Sequence, residues 1–133
     1  METIQEDSSI STLAEFTKQY LITALWSSND DSNDQGGEPL DQHHDLESFA
    51  PDAMRQAILD CKLFLAKAGN LIEGYKLDGI AHDFWLTRNR HGAGFWDGDY
   101  QEATGMALTD LAHWFKECTP YIGDDGLIYF YMG

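Results

Sequence analysis

The chain has 133 residues and a formal net charge of −15, from 23 acidic and 8 basic side chains. This length can bury a hydrophobic core, and a hydrophobic share of 43% excludes wholesale disorder. So large an acidic excess argues against direct nucleic-acid binding, which depends on cationic contacts, and favours a partner with a basic surface.

The first predicted element is an amphipathic helix over residues 9–26. Apolar side chains recur there at three- and four-residue intervals, as at Leu13, Phe16 and Tyr20. The preceding residues are polar and acidic where a signal peptide has a basic region. No apolar run reaches the length of about 18 residues that a membrane span needs. We therefore expect a cytoplasmic protein without membrane contact.

A long acidic loop is predicted over residues 27–47, where the apolar periodicity is lost and Ser, Asn, Asp and Gly dominate. Loops of this length are usually functional or mobile. Carboxylates here and on the first helix can imitate DNA phosphates, which lie about 3.4 Å apart along one strand. The candidate partner-binding residues are Glu15, Asp30, Asp31, Asp34, Glu38, Asp41, Asp45 and Glu47.

A second helix is predicted over residues 49–69. Pro51 suits its first turn and Gly69 suits its C-terminal stop. The two cysteines, Cys61 and Cys118, lie in apolar patterns and lack CxxC spacing. We expect them to be buried, reduced thiols.

Residues 82–100, HDFWLTRNRHGAGFWDGDY, predict a β-hairpin. Two aromatic arms flank the turn-like sequence RNRHG, and adjacent aromatic residues on each arm would place one ring on each face of a sheet. We interpret this segment first as a structural framework.

A third helix is predicted to follow, with Asp99 and Glu102 spaced as a capping box. After Pro120, YIGDDGLIYFY predicts a C-terminal strand or hairpin. The predicted fold is therefore α+β, in a single domain over residues 1–133. A small antiparallel sheet, formed by the central hairpin and the C-terminal strand or hairpin, would pack with about three helices.

The central motif also holds residue types that bind metals or catalyse hydrolysis. Imidazole and carboxylate groups suit Zn²⁺ or another divalent ion. The candidate metal ligands are His82, Asp83, His91 and Asp97. Arg88 and Asp99 would complete a site for general acid–base chemistry. The sequence has no HxxxH, GxSxG or P-loop pattern in support, so we expect no metal and no cofactor, and structural roles are favoured.

The motif AHDFWLTRNRHGAGFWDGDY, with YIGDDGLIYF near the C-terminus, resembles a group of small proteins encoded by bacteriophages, prophages and plasmids. The likeness includes APDAMRQAILDCKLFLAKAG and covers roughly residues 46–131. In that group the turn reads Asn-Gly-His-Gly, whereas this chain has Arg90 at the first Gly. The resemblance implies a mobile-element gene, and small acidic proteins of such elements often disarm host defence.

Charge and resemblance together predict a non-enzymatic inhibitor in the cytoplasm of a host bacterial cell. It would cover the basic nucleic-acid-binding surface of a restriction or CRISPR effector, by occlusion or DNA mimicry, with Tyr121, Tyr129 or Tyr131 as added anchors. The alternatives are a metal-dependent or hydrolytic enzyme centred on residues 82–99, and an adaptor for another basic partner. The protein would be a monomer, or a homodimer joined through the edge of strand 127–131.

Overall fold

A computed structural model describes residues 2–30, 38–91 and 93–132, and for residues 2–10 and Asp30 it describes the backbone alone. The candidate residues Asp31 and Asp34, and the side chain of Asp30, lie outside this description. None of the described helices is long and apolar enough to cross a lipid bilayer.

The architecture combines helices with two short antiparallel pairs of strands. Within the described residues, the helices are α1 (Glu2–Ser27), α2 (Pro51–Ala68), α3 (Leu77–Arg88) and α4 (Glu102–Trp114). The strands are β1 (Asn29–Asp30), paired with β2 (Glu38–Pro39), and β3 (Cys118–Ile122), paired with β4 (Ile128–Met132). Short 3-10 helices lie at Leu40–Gln42, Leu46–Ser48 and Gly69–Ile72. The predicted α+β class is confirmed.

The hydrophobic core forms around α3, which packs between α1 and α4, while α2 packs on α1 and α4. The ring of Phe84 on α3 stacks on Phe64 of α2, with 4.1 Å between the ring centroids. Trp85, also on α3, meets Tyr20 of α1 edge-on at 5.1 Å. The Trp85 indole donates a hydrogen bond of 2.9 Å to the Ser27 hydroxyl, so even its polar atom is satisfied.

The predicted central hairpin is wrong, because its first arm is the helix α3 and residues 93–101 form turns. Adjacent aromatic residues suggested a sheet covered on both faces. Here both rings contact Tyr20 of α1, while Phe84 also packs on Phe64 of α2 and Trp85 on Phe130 of β4. A helix packed on several sides can bury both. Tertiary packing, and not an alternating pattern, explains the aromatic pair.

The helix boundaries agree with the sequence in α2 and differ in α4. Pro51 begins α2, and Gly69 follows its last residue with a φ of 49°, as predicted. The predicted capping box is wrong, because α4 is capped by Gln101, whose side chain makes no capping hydrogen bond. The amide of Gln101 donates instead to the Tyr75 hydroxyl at 3.3 Å, which places the helix start three residues after Asp99.

The predicted C-terminal hairpin is confirmed as β3 and β4. Its outer edge on β3 offers few free donors. The Cys118 amide is bonded to the Asn89 side chain at 2.7 Å, and Pro120 has no amide hydrogen. On β4, the Ile128 carbonyl accepts from the Ala50 amide at 2.8 Å. Both edges are therefore partly blocked against pairing with a second copy.

Both cysteines are free and buried, as predicted. Burial raises the pKa of Cys118 to about 12. Burial also raises the pKa of Cys61 far above its usual value. Both groups are therefore thiols, not nucleophilic thiolates, at neutral pH.

Candidate functional site

Two glycines let the loop of residues 93–101 lie against α3 and α4. A Cβ atom at Gly105 would lie 2.6 Å from the carbonyl oxygen of Phe95, and one at Gly94 would clash with the Thr87 hydroxyl. The same hydroxyl accepts a hydrogen bond of 3.2 Å from the Phe95 amide. This close approach inserts the Phe95 ring into the core and leaves Trp96 46% exposed.

The Tyr100 hydroxyl donates a hydrogen bond of 2.6 Å to Asp83 across this loop. Partial burial raises the pKa of Asp83 above its usual value, although the bond from Tyr100 opposes the rise. Burial and the adjacent carboxyl group raise the pKa of Tyr100 as well, so its hydroxyl remains a donor. The bond fixes the Tyr100 ring beside Tyr75 and Phe95, with centroid distances of 4.9 and 5.3 Å.

His82 points away from Asp83, toward α1. Its Nδ1 lies 3.1 Å from the Thr23 hydroxyl, and its ring stacks on Trp26 at 5.5 Å. The Thr23 hydroxyl also lies 3.0 Å from the Gln19 carbonyl oxygen. The imidazole thus joins α3 to α1.

Arg88 is buried in the core with no side-chain exposure and forms an ion pair of 2.8 Å with Asp60. The same nitrogen donates to the Tyr20 hydroxyl at 2.8 Å. The other donors of the guanidinium bind the carbonyl oxygens of Phe115 and Lys116 at 3.0 and 2.9 Å. Arg88 is therefore part of the core and is not available for the general acid–base site that the sequence suggested. Its role is to close the C-terminal end of α4 inside the core.

The remaining candidates of the metal and enzyme hypothesis are Asp97, His91 and Asp99. The Asp97 carboxylate accepts from the Gly94 amide at 3.0 Å and so shapes its own turn. His91 lines a small cavity of about 210 Å³ beside Asn89, and Asp99 is exposed. Within the described ranges, no cluster of three or more His, Cys, Asp or Glu side chains is arranged to hold a metal ion.

The acidic segment of residues 38–48 is held against the end of α1. Leu40 is buried, and its amide donates to the Ser28 carbonyl at 2.8 Å. Two candidate carboxylates have local partners: Glu38 contacts His43 at 2.9 Å, and Asp45 accepts from the Glu47 amide at 2.9 Å. All candidate carboxylates whose side chains are described are exposed, namely Glu15, Glu38, Asp41, Asp45 and Glu47.

A groove of about 400 Å³, here called the Trp96 groove, is lined by residues of this loop and of α4. Its lining residues are Phe95, Trp96, Gly98, Tyr100, Gln101, Glu102, Gly105, Met106, Thr109 and Asp110. Large apolar side chains and two carboxylates therefore meet in one concave surface.

Sequence reasoning missed both this groove and the buried network around Arg88. One part of the groove could have been found in the sequence. Glu102, Met106 and Asp110 lie four residues apart, so on a helix they share one face, with an apolar residue between two acids. The pairing of Arg88 with Asp60 had no such signal, since the two residues lie on different helices.

No protein-family model, no curated protein and no solved structure matches this chain.

Proposed function

We propose that this protein binds the basic nucleic-acid-binding surface of another protein and blocks it. More specifically, we propose that it is an acidic protein of a mobile element and that it inhibits a host defence complex, a restriction or CRISPR effector. The observation that carries the proposal is the unneutralised acidity of the described surface.

Most of the described carboxylates are exposed and form no ion pair with Lys or Arg. Apart from Asp60 and Asp83, every Asp and Glu side chain that the structure describes is exposed. In that same part of the chain, the ion pairs with arginine involve Asp52, Asp60 and Glu117. The remaining exposed acids face solvent without a described Lys or Arg partner, which supports fast, salt-sensitive association with a basic surface.

The geometry gives less support to the enzyme hypothesis. Arg88 and Asp83 are used in hydrogen bonds within the fold. His82 contacts Thr23 of α1, whereas Asp83 faces Tyr100 in the loop of residues 93–101. His91 lines the small cavity beside Asn89, whereas Asp97 shapes its own turn. We therefore propose binding by the acidic surface as the function.

The proposal is tested by retention of purified restriction and CRISPR effectors on the immobilised protein. We expect one effector to be retained at low salt, released at high salt and displaced by DNA. The double variant D41K/E47K should lose retention, because it reverses two exposed charges of the acidic segment.

A matched control is H91A, which removes a candidate of the enzyme hypothesis and leaves the acidic segment intact. Retention by H91A should equal that of the wild type. Failure of the wild type to retain any DNA-binding effector at low salt would contradict the proposed function. Retention that D41K/E47K leaves unchanged would instead exclude the acidic segment as the contact.

A further inference from the structure

The Trp96 groove exposes large apolar side chains that are ordinarily buried. Trp96 is 46% exposed and Met106 is 63% exposed, and both line the groove together with the buried ring of Phe95. Tyr100 forms a further wall and is held by its bond to Asp83. Concave apolar surfaces with a few fixed polar groups are typical of binding sites.

The rim of the groove is acidic and lacks neutralising charges. Glu102 and Asp110 lie one helical turn before and after Met106, so all three share one face of α4. Both carboxylates are exposed, and neither pairs with a described Lys or Arg. Residues 95–110 contain no basic side chain at all.

We infer that the Trp96 groove binds an arginine side chain of the basic partner. This inference rests on the proposed function and names the place where the partner is anchored. Arginine fits each part of the groove: its guanidinium stacks on aromatic rings, its aliphatic stem packs on Met106, and its paired donors match a carboxylate.

The charge of the groove disfavours other occupants. A second copy of the chain would bring carboxylates toward carboxylates if the same face were used twice. A phosphate-bearing ligand would meet Glu102 and Asp110 without a compensating cation from residues 95–110. A cationic side chain with an apolar stem satisfies both the rim and the walls.

The test is the affinity for nona-arginine, nona-lysine and neutral nona-citrulline peptides, measured by calorimetry in about 0.15 M NaCl. We expect the wild type to bind nona-arginine best and nona-citrulline not at all. The variant E102Q/D110N should bind nona-arginine about tenfold more weakly. The variants W96A and M106A should also weaken binding, although neither changes the net charge.

The matched control is D78N/D124N, which removes two exposed negative charges outside the groove. Asp78 lies in the first turn of α3, as Glu102 lies in the first turn of α4, so both double variants remove one acid from the start of a helix. The affinity of the control should fall less than about threefold, the effect of net charge alone. The indole signal of Trp96 in an NMR titration should shift on binding in the control variant and not in E102Q/D110N.

Equal losses in the two double variants, with no loss in W96A and M106A, would overturn the groove and leave the proposed function standing. Equal affinity for nona-lysine would overturn the choice of arginine. If the wild type bound neither cationic peptide, both the inference and the proposed function would fail. Circular dichroism of each variant separates a lost site from a lost fold.

Discussion

At the scale of single residues, Arg88 carries more of the fold than any candidate site residue that the sequence suggested. Its guanidinium joins α1 through Tyr20 and α2 through Asp60, and it also holds two carbonyl oxygens after α4. The rings of Phe84 and Phe115 lie 5.7 and 5.5 Å from the guanidinium carbon. A buried charge with this many partners is costly to remove.

Replacement of Arg88 by methionine is therefore expected to lower the free energy of unfolding by about 3–5 kcal/mol, because Asp60 is left as a buried charge without its partner. The matched control is R90M. Arg90 is exposed and approaches Glu117 at only 4.0 Å, so its loss should change stability by less than about 0.5 kcal/mol. Urea denaturation of both variants measures the difference, and similar values for the two would contradict this role.

The double variant D60L/R88M separates the ion pair from the other hydrogen bonds. Removal of both charges abolishes the uncompensated charge on Asp60. The carbonyl oxygens of Phe115 and Lys116 would still lose their donor, at a cost of about 1–3 kcal/mol for each group left buried and unsatisfied. We expect the double variant to stay less stable than the wild type, and full recovery would show that these carbonyl contacts contribute little.

The contribution of Asp83 to the stability of the fold should depend on pH. Burial holds its folded pKa above the ordinary value of 3.8, so the folded state binds the proton more tightly than the unfolded state does. The contribution of Asp83 to stability is then greatest at acid pH. It falls as the pH rises from 3.8 through the raised folded pKa, and it is constant beyond that point.

The carboxyl pKa of Asp83 can be measured by carbon-13 NMR. We expect a value above 3.8 in the wild type, and a still higher one in Y100F, which loses the hydrogen bond that favours the ionised form. In D83N the fall in stability between acid and neutral pH should be smaller than in the wild type. A wild-type pKa at or below 3.8 would mean that solvent reaches this carboxylate more freely than its half-buried position indicates.

The residue types in the segment 82–99 indicated correctly that these side chains matter, but they suggested the wrong role for them. The sequence identified His82, Asp83 and Arg88 as candidates for one site. The three side chains instead diverge, because successive positions on a helix point about 100° apart and α3 has neighbours on several sides. A strand would also have placed His82 and Asp83 on opposite faces, so residue types alone had suggested that they share a site.

At the scale of elements, the contact between the loop of residues 93–101 and α4 depends on Gly105. An alanine there is expected to destabilise the protein by about 1–3 kcal/mol, because its Cβ would meet the Phe95 carbonyl oxygen at 2.6 Å. The matched control is G79A in α3. Gly79 has no atom near its Cβ position, so alanine should stabilise the protein there by about 0.5–1 kcal/mol through helix propensity.

Thermal and urea denaturation of both glycine variants check this pair. Opposite signs for the two substitutions are the expected result. If G105A were as stable as the wild type, the loop would have to shift away from α4. The Trp96 groove would then change shape, and the NMR signal of the Trp96 indole should move.

Elements that begin or end at Pro, Gly or a turn sequence were predictable from the sequence, and elements bounded by tertiary contacts were not. Pro51 and Gly69 delimited α2 correctly. The sequence GDDG predicted the turn of the C-terminal hairpin, where Gly126 has a φ of 82°. The start of α4 lacked such a signal, because its first free amide is satisfied by Tyr75, a residue distant in sequence. Long-range partners of this kind leave no local pattern.

At the scale of the whole molecule, a net charge of −15 on a chain of this size is a source of self-repulsion. One of the eight basic side chains, Arg88, is buried and does not offset the acidic surface. Two others, Arg55 and Arg90, pair locally with Asp52 and Glu117. The acidic surface therefore has a stability cost, and a basic partner would relieve that cost on binding.

This repulsion predicts that NaCl stabilises the protein. Raising the salt from about 0.02 M to about 0.5 M shortens the screening length to a few ångströms, and the free energy of unfolding should rise by about 1 kcal/mol, or about 4 °C in Tm. The control is D78N/D124N, which carries two fewer negative charges and should gain less from the same salt. If salt lowered Tm, or stabilised both proteins equally, repulsion among the acidic side chains would not be the cause of the salt response. The expected salt response would mean that the folded protein retains an unfavourable charge, which binding of a basic partner would neutralise.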